Sequence, residues 1–157
     1  MRLEIRAIGR IKAGPERELV DTYIKRADQA GRALGLGPVS EREFDPRTLK
    51  TKTAETEVLT GSIEPASLVV GLDETGRNVS SLEFSQLIAR ARDEGCRQGV
   101  FLIGGADGHD RTRLPAQTRL ISFGTVTWPH KLVRAMLAEQ IYRAVSVLAG
   151  LPYHREG

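Results

Sequence analysis

Leu3, Ile5 and Ala7 alternate with Glu4 and Arg6, the period-two pattern of a short strand, and Gly9 ends it. Gly14-Pro15 opens a helix, because proline in the first turn forfeits an amide donor that has no helical partner there. Leu19, Val20, Tyr23, Ile24, Ala27 and Ala30 give that helix one apolar stripe, and Gly31, Gly35, Gly37 and Pro38 stop it. Residues 39–66 carry the weakest pattern, a polar strand over Val39–Phe44 and a helix over Leu49–Leu59. Ser67–Leu72 is a continuous apolar run, as in a parallel strand covered on both faces. Asp73–Asn78 reads as a loop, Ser80 with Glu83 as a capping box, and Val79 with Phe84 as a hydrophobic staple. The helix they open runs to Gly95 and turns Leu87, Ile88 and Ala91 inward. Val100–Ile103 is a second buried strand, followed by Gly104-Gly105-Ala106-Asp107-Gly108. An arginine-rich helix over Arg111–Thr118 and a third strand over Arg119–Phe123 lead into Gly124-Thr125-Val126-Thr127-Trp128-Pro129-His130.

Leu132, Val133, Met136, Leu137, Ile141, Tyr142, Val145 and Leu148 then recur at helical steps over about four turns. This arc is wider than one sheet face needs. Part of it buries either against a second subunit or more deeply in a small single domain. Gly150 and Pro152 end the helix and leave a tail, Tyr153-His154-Arg155-Glu156-Gly157. Strand and helix alternate without repeat or linker, so the expected fold is α/β with a largely parallel sheet, in one domain over residues 1–157.

A chain of 157 residues can bury roughly 70% of its unfolded surface, enough for a core without staples. The single cysteine, Cys96, excludes an intramolecular disulfide and a cysteine-based zinc site. No apolar run nears the roughly 20 residues of a membrane helix, and Met1–Arg6 has no signal-peptide core. The expectation is a soluble cytoplasmic protein with no membrane partner. The net charge of +3 conceals segregation: residues 1–52 carry 12 basic and 8 acidic side chains, residues 53–110 carry 4 and 10, and residues 111–157 carry 7 and 2. A basic C-terminal third beside an acidic middle suits a surface that faces a polyanion as well as it suits an ordinary solvated surface.

Three apolar strands thus end in loops rich in glycine or proline, at Leu72, at Gly104 and after Phe123. Ligands in open parallel sheets bind beyond the carboxyl ends of the strands. The Gly104 loop is neither a Walker A loop nor a dinucleotide fingerprint, and by itself reads as a tight turn as readily as a cofactor site. His109, His130 and His154 lack metal-ligand spacing, so no metal is expected. The tail packs an aromatic ring, an imidazole and a guanidinium together. Such groups can stack on a base, move a proton and hold a phosphate, although a charged terminus that simply frays has the same composition.

Gly104-Gly105-x-x-Gly108, Thr127-Trp128-Pro129-His130 with Leu132-Val133-Arg134, Glu139-Gln140-x-Tyr142-Arg143-Ala144 and terminal Pro152-Tyr153-His154-Arg155 together resemble the bacterial 23S ribosomal RNA pseudouridine N3-methyltransferases. That family belongs to the SPOUT class of S-adenosylmethionine enzymes. The resemblance spans the chain, densest from residue 68 onward and loosest over residues 39–66. It departs at Glu55-Thr56, where the family often has Glu-Gly.

The resemblance implies a SPOUT-type parallel-sheet fold with a C-terminal deep trefoil knot. It implies S-adenosylmethionine held by Leu72, Gly104, Phe123, Gly124, Thr125, Val126, Thr127 and Trp128. It also implies a homodimer, formed through the wide arc of the last helix, and ribosomal RNA of the large subunit or whole ribosome as substrate. His154 is then a candidate base or hydrogen-bond partner for the target, and Arg155 and Arg134 candidates to stabilise charge on the base oxygens. Tyr153 is a candidate to stack on the extruded ring. A non-catalytic ribosome-binding module on the same fold, or a knotted methyltransferase acting on transfer RNA, are the other readings of the same residues.

Overall fold

The computed structural model describes residues 1–155. Glu156 and Gly157, the end of the tail motif, lie outside the described residues. Five strands form one sheet: β1 (Arg2–Ile8), β2 (Val39–Phe44), β3 (Leu68–Asn78), β4 (Gln98–Ile103) and β5 (Arg119–Ser122). Their order is β2-β1-β4-β3-β5, and every pairing is parallel. The helices are α1 (Pro15–Gly31), α2 (Lys52–Thr60), α3 (Ser81–Asp93) and α4 (His130–Ala149).

The pleat sorts the core into two layers. Leu3, Ile5, Ala7, Val70, Phe101 and Ile103 meet Val20 and Ala27 of α1, Phe84 and Ile88 of α3, and Leu137, Ile141 and Val145 of α4. On the opposite face Ile8, Val69, Val100 and Leu102 meet Leu59 of α2. Arg6, on the polar side of β1, is therefore covered by α2 and only 3% exposed. Its guanidinium donates to the carbonyls of Leu59 at 2.8 Å and Gly61 at 2.6 Å, where a helix end leaves acceptors unpaired.

β1, β2 and the Ser80–Glu83 capping box form as the pattern predicts. Three segments differ. Asp73–Asn78 is the outer half of β3 and not a loop: after a register shift, Arg77 pairs with Ile121 and Asn78 with Ser122. A Cβ on Gly76 would lie 2.7 Å from the backbone of Ile121, so only glycine allows this approach. The helix expected over Arg111–Thr118 is one 3-10 turn, Arg111–Arg113, because Leu114 precedes Pro115 and is forced extended at φ −75°, ψ 144°. Helix α2 begins at Lys52, where the Thr51 hydroxyl accepts from the Ala54 amide, and Pro46–Thr48 forms a separate 3-10 turn before it.

Helix α4 packs between α1 and α3. Leu137, Ile141 and Val145 are fully buried in the chain's own core, so most of the wide arc is consumed within one molecule. Leu132 and Met136 remain partly exposed.

Candidate cofactor cleft and C-terminal tail

The irregular middle of β3 and the carboxyl ends of β4 and β5 meet the first turn of α4 around a cleft of about 450 Å³. Seven of the eight expected cofactor residues line it: Leu72, Gly104, Phe123, Gly124, Val126, Thr127 and Trp128. Thr125 is exposed and is not among the lining residues. Two bonds fold the 123–128 loop onto itself, Ser122 Oγ to the Gly124 carbonyl at 2.7 Å and Trp128 Nε1 to the Phe123 carbonyl at 3.2 Å. Val126 is 62% exposed and Trp128 37%, which leaves apolar surface at the mouth for a ligand to cover.

The glycine turn is built against its neighbours. A Cβ on Gly104 would meet the Gly108 carbonyl at 3.1 Å and His109 Nδ1 at 3.2 Å, and a Cβ on Gly105 would meet the Glu55 carboxylate at 2.6 Å. A side chain at Gly104 therefore disrupts the turn before it reaches any ligand. Desolvation, then the nearby Asp107, raises the Glu55 carboxyl above the usual carboxylate range. Burial also raises the Asp73 carboxyl, but its bonds from the Thr75 hydroxyl and amide, aided by Arg111, outweigh this and leave it lowered. Arg111 Nη2 donates to both Asp73 and Thr75 across the rim.

His109 is the residue of the cleft that sequence reasoning passed over. It is 5% exposed, and neither ring nitrogen has a well-formed hydrogen bond, although the carbonyls of Leu72 and Leu102 lie close. Burial holds its pKa below the ordinary histidine value, with Asp73 opposing that shift and Arg111 adding to it. The unfolded chain therefore takes up this proton first, and stability falls as pH drops below about 6.5. We expect acidification from about pH 7.5 to 5.5 to lower the thermal midpoint less in His109→Leu than in the wild type. Equal drops in the two proteins place the acid sensitivity elsewhere.

An apolar groove shares Ser122, Phe123 and Gly124 with the cleft and extends over Leu19, Tyr23, Leu132 and Met136. The tail lies beside it. Pro152–His154 forms a 3-10 turn on α4, and the Tyr153 hydroxyl donates its one proton to Glu139 at 2.9 Å and lies 3.4 Å from the Tyr23 hydroxyl. Its ring is 4.6 Å from that of Tyr142, with the Arg143 guanidinium 4.9 Å from its centroid. Burial, then these hydrogen bonds, raises the Tyr153 phenol well above its ordinary pKa. Pro152–His154 are thus anchored on their own chain.

Tyr153, His154, Arg155 and Arg134 do not line the cleft of their own chain. Arg134 is 4% exposed: its guanidinium binds Glu41 at 3.0 Å, Glu43, and the Gly9 carbonyl at 3.1 Å. That geometry makes it an internal clamp, a placement its position in the motif did not reveal. Among the described residues no three His, Cys, Asp or Glu side chains are grouped as a metal ion would require.

The model of the family described as "Predicted SPOUT methyltransferase" matches residues 1–154. The chain belongs to the SPOUT methyltransferase family. It is 54% identical to a Maricaulis maris protein over 156 residues, covering 99% of this chain and all of that protein. It is 52% identical to a Phenylobacterium zucineum protein over 156 residues and 49% identical to one from Methylocella silvestris over 160, with the same coverage. Each of these relatives is named ribosomal RNA large subunit methyltransferase H. No helix of this SPOUT methyltransferase, among the described residues, is long and apolar enough to cross a membrane.

Proposed function

We propose that the chain transfers a methyl group from S-adenosylmethionine to N3 of a pseudouridine in 23S ribosomal RNA. It works on the large subunit or the assembled ribosome, as a cytoplasmic homodimer. The observation that carries the reading is that Leu72, Gly104 and the 123–128 loop, distant in sequence, line one cleft of the size small cofactors occupy. The names of the relatives support ribosomal RNA as the substrate. In the same reading α4 is threaded through a loop as a trefoil knot.

The cleft suits the cofactor chemically. Backbone and the apolar surfaces of Leu72, Val126 and Trp128 fit a neutral adenine, and the carboxylate of Asp73 at the rim favours a cationic ligand. When bound, S-adenosylmethionine would supply a methyl group activated by a sulfonium; S-adenosylhomocysteine would leave as the neutral thioether, and the N3 proton would pass to His154 or to solvent. His154 then orders the imide edge of the target, Arg155 disperses charge on its oxygens, and Tyr153 holds both in place through Glu139 and Tyr23. Tritiated methyl transfer to ribosomal particles, with the nucleoside identified by mass spectrometry, tests this. N3-methylpseudouridine is expected; a different nucleoside, methylation of transfer RNA alone, or no transfer overturns it.

The groove gives the homodimer a surface, because Leu19 is 42% exposed there beside Leu132 and Met136. A two-fold axis through it brings each tail towards the partner's cleft. Met136→Glu is expected to give folded monomers by light scattering that have lost methyl transfer. A fully active monomer sinks the shared site.

A further inference from the structure

A parallel sheet brings all its strand carboxyl ends to one edge, and here that edge continues past the cleft over β1 and β2. Ala7 pairs with Ile103 and Ile8 with Phe44, so residues 9–14 and 45–51 follow strand ends on the cleft's edge of the sheet. Three carboxylates of β2 and the loop after it are already engaged, whereas Glu16 and Glu55, in the first turns of α1 and α2, are in no ion pair among the described residues. Glu41 and Glu43 are bound by Arg17 and Arg134, and Asp45 by Arg47. The lysines are not. Lys12, Lys50, Lys52 and Lys131 are exposed, and among the described residues none of them makes an ion pair. Four of the chain's five lysines therefore lie on this edge. Lys131 stands in the first turn of α4 beside the cleft, and Arg134, one turn on, ties that helix to the Gly9 carbonyl at 3.1 Å.

Four of the six arginines in the basic C-terminal third are already paired, whereas Arg119, at the opposite edge of the sheet where β5 begins, and Arg155 in the tail are in no ion pair among the described residues. Arg111 is paired with Asp73, Arg113 with Glu57, Arg134 with Glu41 and Glu43, and Arg143 with Glu139. We propose that the strip formed by Lys12, Lys50 and Lys52, running to Lys131, is where the phosphate backbone flanking the target nucleotide docks and is held over the cleft. The proposal rests on the ribosomal RNA reading above. Flexible exposed ammonium groups suit phosphate, which positions a nucleic acid without reading its sequence.

The test is a triple variant, Lys12→Glu with Lys50→Glu and Lys52→Glu, assayed for methyl transfer to ribosomal particles across a salt series. The KM for particles is expected to rise on the order of tenfold near physiological salt, with a shallower salt dependence of kcat/KM. The maximal rate and the calorimetric affinity for S-adenosylmethionine stay unchanged. Lys25→Glu controls for net charge, because Lys25 lies about 15 Å along α1 from its start at that edge. An unchanged KM in the triple variant, or an equal rise in Lys25→Glu, overturns the proposal. Co-sedimentation with particles reads docking without methyl transfer: retention by the wild type and loss in the triple variant supports the strip even if the reaction is not the one proposed. Equal retention by both defeats it.

Discussion

Replacing His154 with alanine is expected to lower methyl transfer by about 10²–10³-fold, the cost of losing a donor aimed at developing negative charge. Affinity for S-adenosylmethionine should not change. His154 Nδ1 lies 3.5 Å from Arg143 Nη1, and a guanidinium can only donate. Two roles are open to His154, hydrogen-bond donation to an oxygen of the target and removal of the imide proton. His154→Gln, which keeps a side-chain donor, is expected to retain more activity than His154→Ala. Full methylation of ribosomal particles by His154→Ala removes the residue from catalysis.

Arg134→Met is expected to destabilise the fold by about 3 kcal/mol, the lower end for breaking a buried ion pair, because Arg17 still holds both stranded carboxylates. For a chain of this length the thermal midpoint falls by roughly 6–12 °C. The Gly9 carbonyl loses its guanidinium donor as well. Arg134→Lys keeps the charge but cannot reach all three acceptors together, and should fall between. Thermal melts set beside the activity per folded molecule separate the two roles of Arg134. A normal melting temperature with methyl transfer abolished restores Arg134 to catalysis and defeats the clamp.

The reading of Ile141 changes in the same way. Read from the helix alone, Ile141 belongs to an arc too wide for one face and so to an interface between subunits. Packed between α1 and α3 it is fully buried, and a glutamate there attacks the monomer's own core. Periodicity reports how much apolar surface a helix has, not which neighbour covers it.

Local signals served the reading where local physics governs. The alternation of Leu3, Ile5 and Ala7, the Ser80–Glu83 box and the glycines at the strand ends each act within a few residues, and each stands where the pattern put it. The parallel α/β fold was legible on that ground, and on the resemblance of the motifs so were seven residues that line the cleft, Thr125 being the expected one that does not. The tertiary structure alone decided the remainder, because it depends on which distant segments share a neighbourhood. Asp73–Asn78 becomes strand only because β5 lies alongside to take its hydrogen bonds. His109 becomes a buried neutral ring only between β3 and the Gly104 turn, and Arg134 a clamp only because β2 presents Glu41 and Glu43 to it. The charge of a segment likewise says little of its surface. Three arginines after residue 110, Arg111, Arg113 and Arg134, are taken up by acidic partners earlier in the chain, while Lys12, Lys50 and Lys52, in no ion pair among the described residues, gather at the sheet edge where β1 and β2 end.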